Sequence, residues 1–122
     1  MTTLVHGTTR HRAESIINNG PDPRYLEPGG VPSNDGFSTY VEGGPFIYGT
    51  PEDYARGKAA QFPHEGGPVI LVIEDVPDDA LSAANLYGLS PLSHGVIQFD
   101  IGAGLKELLA VWNSLPKTIR DV

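Results

Sequence analysis

Cysteine is absent from this 122-residue chain, which excludes disulfides, zinc-thiolate sites and thiol nucleophiles and leaves the redox compartment open. Basic residues are scarce: eight Lys and Arg stand against fifteen Asp and Glu, for a formal net charge of -7. That is the wrong sign for holding a phosphate backbone by counterion release, and it argues against nucleic acid as a partner. No apolar run approaches the ~20 residues of a membrane span. Nor does the N-terminus show a basic start, an apolar stretch and a small-residue cleavage site. These absences together predict a cytoplasmic protein with no membrane partner.

Glycine and proline are abundant instead, at fifteen and eleven. They imply many turns between short elements, which suits an irregular α+β domain better than a helical bundle. The length predicts one domain over residues 1–122. There is no internal repeat or low-complexity tract.

Residues 3–6 read as a short strand, and Ala13, Ile16 and Ile17 then recur at helical spacing before Asn19-Gly20, a left-handed stop. From Pro21 to Gly36 no period survives among Pro, Gly, Asn and Asp, which marks a long loop. "FSTYV" (37–41) reads as an edge strand and "FIYGT" (46–50) as another strand. Thr50-Pro51 then opens a helix to about Phe62, with an N-cap hydroxyl, proline at the first helical position and the acids Glu52 and Asp53 in the first turn. "GPVILVIEDVP" (67–77) is a β-branched run with both faces apolar, and "HGVIQFDIG" (94–102) alternates. In "GLKELLAVWNSLP" (104–116), Leu105, Leu108, Leu109 and Trp112 make a helical stripe. Helices are thus predicted near 10–19, 51–62 and 103–114.

His6 is the first candidate for chemistry. Its plain reading is a strand-end histidine bonded to nearby backbone. Beside it, however, Gly7 lets a ligand approach the main chain closely, and Thr8 and Thr9 add hydroxyls. A neutral imidazole next to bare N–H and C=O groups suits a ribose hydroxyl together with a carboxamide. The second candidate stretch is "FIYGTPEDYA" (46–55), an aromatic strand end followed by a capped helix. Tyr48 there reads either as a core aromatic or as a ligand wall. Tyr54 and Phe62 read as helix-face packing or as a second wall.

The order strand, His-Gly-Thr, "AESIINNG" helix, long loop, "IYGTPEDYA", "GPVILVIEDVP" resembles the ADP-ribosyltransferase superfamily, in the branch whose site is described as His, Tyr and Glu. The likeness covers roughly residues 4–77. It implies an α+β fold of two small, mostly antiparallel sheets meeting at a cleft, with NAD bound there as substrate beneath the loop 21–45. It also implies ADP-ribosyl transfer to an acceptor the sequence does not name (protein, nucleic acid or small molecule), or NAD hydrolysis. Carried over residue by residue, His6 holds the ribose of the nicotinamide half, the Gly7 backbone holds the carboxamide, and Tyr48 stacks on the nicotinamide ring. Thr8 is a ribose neighbour, and Tyr54 is a further cofactor-binding candidate.

The chain departs from that pattern at the glutamate. Its late strand offers Gln98 at the best-matching position, with Asp100 two residues on. An amide can orient a ribose hydroxyl but cannot stabilise a cationic ribose as a carboxylate does. The assignment stays open between Gln98 and Asp100, and an alignment anchored on Asp100 would put His94 or Gly95 at the site. Glu74 and Asp75 are a second source of acid, or simply a solvated strand end. Rifampin ADP-ribosyltransferases, which carry an aspartate in place of the glutamate, make Asp100 a less unusual choice. RNA 2'-phosphotransferases also begin with a similar His-Gly-Thr-Thr, but they hold phosphate with arginines that "FIYGT" lacks. A subgroup with Arg, Ser-Thr-Ser and Glu is similar at "FSTY" and "QFD" only. Outside enzymology, the missing glutamate points to an inactive member that binds NAD or another partner. His6, His11, His64 and His94 show no metal-ligand spacing, so no metal is predicted.

Overall fold

The computed structural model describes residues 1–19, 37–46, 49–76, 89–91, 96–99 and 113–122. Its first strand, β1 (Thr2–Thr9), is longer than the expected 3–6. The β-branched Thr8 and Thr9 keep pairing past Gly7, so His6-Gly7 lies inside the strand and not at its mouth. Helix α1 (Arg10–Asn19) follows at once. The Thr9 hydroxyl accepts from the Arg12 backbone N–H at 3.4 Å, and Ala13 and Ile16 are buried at the predicted spacing.

Strand β2 (Phe37–Val41) was expected at an edge but lies between two other strands. The stretch 46–50 was expected to be a strand as well. Phe46, Gly49 and Thr50 belong to no strand, and residues 47–48 lie outside the described part. Helix α2 (Pro51–Gln61) starts as its sequence dictates. The Thr50 hydroxyl accepts from Asp53 N–H at 3.2 Å, and the Asp53 carboxylate accepts from Thr50 N–H at 3.3 Å, closing a capping box.

Strand β3 (Pro68–Val76) is the apolar run, with Val69 to Ile73 all buried. Its end is bulged: Glu74 and Asp75 fall between the pairs Leu4↔Ile73 and Thr2↔Val76, and Asp75 has φ +59°. Both acids are exposed there. Strands β4 (Leu89–Pro91) and β6 (Lys117–Asp121) had no counterpart in the sequence reading. Strand β5 (Val96–Phe99) is the core of the expected 94–102. The predicted helix 103–114 lies outside the described residues except for Asn113 and Ser114, which are helical.

The six strands among the described residues run β4-β5-β2-β1-β3-β6, every neighbouring pair antiparallel, so the α+β class holds. Two sheets meeting at a cleft were expected; the described strands form one, joined in its middle by a short seam. Strands β1 and β2 pair only at Leu4↔Val41 and Val5↔Tyr40. Around that seam Val5, Tyr40, Ala55, Ile70 and Val72 form a buried cluster under α2, with Phe46 packed against it. Among the described residues no helix is long and apolar enough to cross a membrane.

Candidate functional site

The Glu42 backbone N–H donates to the Thr3 carbonyl at 3.0 Å, so the peptide groups of Thr3 face β2. Backbone direction alternates along a strand, so those of Val5 and Gly7 face β2 as well, while His6 and Thr8 turn toward β3. On the β3 side the ladder is unbroken from Leu4↔Ile73 to Thr9↔Pro68, and Arg10 N–H extends it to the Gly67 carbonyl at 3.0 Å. On the β2 side pairing stops after Val5. Gly7 therefore turns its N–H and C=O toward a strand that no longer pairs with it.

Strand β2 itself continues to Phe37 but pairs there with β5, Ser38 lying against Gln98 and Gln98 against Ser90. Continuing the β1–β2 register by two residues sets Gly7 level with Ser38. The row then reads Gly7, Ser38, Gln98, Ser90 across four strands. In this way the fold brings the His-Gly motif and the glutamine of the late strand to one level of the sheet, across the place where two strands part. The parting is one of hydrogen bonding and not a groove open to water, for Thr8, Thr9 and Thr39 beside it are fully buried.

The flanks of Gly7 are occupied unequally. On one side α2 presses directly onto it: a Cβ here would fall on the Pro51 carbonyl oxygen and lie 2.9 Å from Ala55 N. Close helix packing is thus a sufficient structural reason for glycine at this position, independent of any ligand. His6, directly opposite Leu71 and one residue along, points to the other side of the sheet and is half-buried. Thr8 shares that face and is inaccessible, so its hydroxyl meets no solvent in this conformation.

Tyr54 lies on the α2 side. Its ring stacks on Tyr40 with centroids 6.0 Å apart and planes at 19°, the two hydroxyls are 3.4 Å apart, and the outer part of Tyr54 stays exposed at 41%. Tyr40 also meets Phe46 edge-on at 5.7 Å. Tyr40 was not foreseen, although alternation in "FSTYV" was the signal that it faces inward. Tyr48, Asp100 and His94 fall outside the described residues. Gly7, Tyr54 and the Gln98 row position are therefore drawn to one region, while the His6 ring and Thr8 occupy the opposite side of β1.

A second polar constellation escaped the sequence reading. Arg12, only 5% exposed, reaches Glu65 from Nε at 2.6 Å and from its terminal nitrogen at 3.2 Å, and its guanidinium lies 4.0 Å from the centre of the Phe62 ring. The Thr9 hydroxyl donates to the same carboxylate at 2.8 Å. The Arg12 hydrogen bond holds the Glu65 carboxyl below its ordinary pKa despite some desolvation, and Thr9 adds to the effect. This cluster pins the start of α1 to the connection between α2 and β3, and it fixes the C-terminal end of β1 from which Gly7 hangs. Among the described residues no group of His, Asp and Glu could hold a metal ion.

Compared with known proteins, the chain matches no family model, no curated protein and no solved structure.

Proposed function

We propose that the chain is an ADP-ribosyltransferase-like domain that takes NAD as substrate and transfers ADP-ribose to an acceptor, or to water when none is present. The observation that supports this reading best is the parting of β1 from β2 at His6-Gly7, which turns the Gly7 peptide groups toward the row holding Ser38 and Gln98. The resemblance implies two sheets where the described strands form one, so the support lies in the short seam at this motif and not in the sheet count. In this reading the Gly7 N–H and C=O hold the carboxamide, and Tyr48 and Tyr54 bound the nicotinamide pocket on the α2 side; the His6 ring, on the opposite face of β1, meets the ribose only where NAD spans the gap between β1 and β2. The bond from the ribose carbon to nicotinamide nitrogen breaks with its electron pair leaving on nicotinamide. The acceptor oxygen or nitrogen then bonds to that carbon and gives up its proton. Gln98 contributes orientation and Asp100 the negative charge that the cationic ribose requires.

The test is release of free nicotinamide from NAD, with and without cell lysate as a source of acceptor. Activity that falls ~100-fold or more in Asp100→Asn, with NAD still bound, supports the assignment of the acid. A parent that binds no NAD by calorimetry removes the reading altogether.

One observation favours a second reading, a non-catalytic module: the residue in register with Ser38 is the uncharged Gln98. Gln98→Glu separates the two. Turnover that appears only in this variant assigns the natural chain to binding.

A further inference from the structure

Helix α2 is held at its two ends by different means. Of its residues only Pro51 and Ala55 are buried, both toward the N-terminal end. From Arg56 to Gln61 the helix is exposed or half-buried, so no apolar face seats that part on the sheet. The connection to β3 runs through Gly66 and Gly67, both at φ +88° and neither with a side chain to pack against the helix. What holds the far end is the first turn of α1. The His11 and Arg10 N–H groups donate to the Glu65 and Gly67 carbonyls, each at 3.0 Å. The Arg12 guanidinium grips the Glu65 carboxylate and covers the ring of Phe62, the C-cap of α2. The Glu65 N–H in turn donates to the Phe62 carbonyl at 3.2 Å, which ties the gripped residue to the helix end.

We propose that Arg12 is a positioning residue for the site at Gly7: by gripping Glu65 and Phe62 it sets how α2 lies on that glycine. The ligand at this site rests on the reading proposed above; the coupling does not. Ala55 and Phe62 are seven residues apart, about 10 Å along the helix axis, so a rigid helix carries a shift at one end to the other. The contact at the near end has no slack to absorb it, because the Pro51 carbonyl oxygen and the Ala55 nitrogen lie where a Cβ on Gly7 would be. The same helix carries Tyr54, so its pose also sets the distance from that ring to the Gly7 peptide. Arg12 acts on the site through the helix.

Gly7→Ala probes the pose directly. In the parent it should lower the folding equilibrium constant ~100-fold or more, and in an Arg12→Met background at least ~10-fold less than that, because a released α2 can withdraw from the new methyl. Positions that share only a common fold would combine to within ~2-fold of the product of the single effects, and that result overturns the proposal. Where Gly7→Ala leaves no folded protein to titrate, Arg12→Met alone decides by NMR. Cross-relaxation between the Gly7 α-protons and the Ala55 amide proton should be lost, while that between Val5 and Val72 in the β1–β3 pair is kept. A Gly7–Ala55 signal at parental strength overturns the proposal. Glu65→Gln, a milder release of the same grip, takes the place of Arg12→Met if that variant does not fold. A functional arm rests on the NAD reading: nicotinamide release should fall ~100-fold in Arg12→Met, the scale of a small misplacement at the reacting centre. Unchanged turnover in that variant overturns the positioning role. A parent that binds no NAD ends the NAD reading, and the first two measurements then decide the coupling by themselves.

Discussion

Strand β1 has two unlike sides. Against β3 it is paired along its length, from Leu4↔Ile73 to Thr9↔Pro68, and of the residues facing each other there only His6, Gly7 and Pro68 are not fully buried. Against β2 it is paired at Leu4 and Val5, with one further backbone bond at Thr3, and no farther along. One strand is thus fully laddered on one side and leaves its ladder after two residues on the other. The difference arises from the neighbours and not from β1 itself. Strand β3 offers five consecutive apolar β-branched or leucine residues that are buried on both faces. Strand β2 offers Phe-Ser-Thr-Tyr-Val, which pairs with β5 along its other edge from Phe37 to Tyr40 but with β1 only at Tyr40 and Val41. Affinity for the core is local along a strand, and where it ends the backbone groups become available for something else.

The largest effect on the two sides of β1 is expected at Gly7. Gly7→Ala drives a Cβ into the Pro51 carbonyl and should cost about 3 kcal/mol or more, because backbone and not a flexible side chain must move. Thermal or urea unfolding reads it. A destabilisation under ~1 kcal/mol would mean that α2 does not sit on β1 as described.

Amide exchange distinguishes the paired and unpaired parts of the β2-facing side. Val5 and Gly7 both face β2, but only Val5 is paired with it, so the Gly7 amide should exchange at least ~100-fold faster, equivalent to about 2.7 kcal/mol of protection. Saturating NAD should slow Gly7 and leave Val5 unchanged. Equal protection at the two positions would show that the ladder continues.

Arg12→Met tests the pin that holds the closed side in place. It keeps an apolar stem over Phe62 but strands Glu65, and should lower stability by about 2 kcal/mol, toward the lower end for a broken buried pair because Glu65 is partly exposed. The same pair predicts a pH dependence. The Glu65 carboxyl is below its ordinary pKa in the folded state, so its contribution is fully present above the unfolded value near 4.5 and fades as pH falls through the lower folded value. Arg12→Met should therefore lose part of the parent's acid sensitivity between about pH 5 and the acid limit, read from unfolding midpoints at each pH. At the small end, Gly57→Ala on α2 meets nothing within 4 Å and should stabilise by up to about 1 kcal/mol through helix propensity.

The closed side of β1 was readable from sequence and the open side only in part. A run such as Val69 to Ile73 announces a buried strand by composition, and Thr50-Pro51-Glu52-Asp53 announces a helix start by local chemistry. The His-Gly pair was visible as a motif. Its division between two faces, with the His6 ring on one side and α2 against Gly7 on the other, follows from the pleat only once β1 is known to run through both residues. Gly7 and the two threonines after it looked like punctuation ahead of α1, because what keeps them extended is pairing with a strand some sixty residues away. Strand β2 looked like an edge since its serine and threonine suggest solvent; the partner that covers it is a distant strand. Strand β6, with three charges in five residues, carries no strand signal of its own. Arg12 and Glu65, 53 residues apart, carry no local sign that they will meet.

Gly7 also has a consequence for mutational genetics. Its Cα is the only matter between α2 and the peptide that faces β2, so packing and recognition make the same demand on the same atom. A saturation library at this codon would return glycine alone whether colonies were selected for folded protein or for any activity housed at the parting, and the two selections could not be told apart. His6 is the codon that distinguishes them. Its ring is half-buried on the far face, where asparagine or glutamine can stand without disturbing α2, so variants kept by a folding screen and lost in a functional screen should accumulate there.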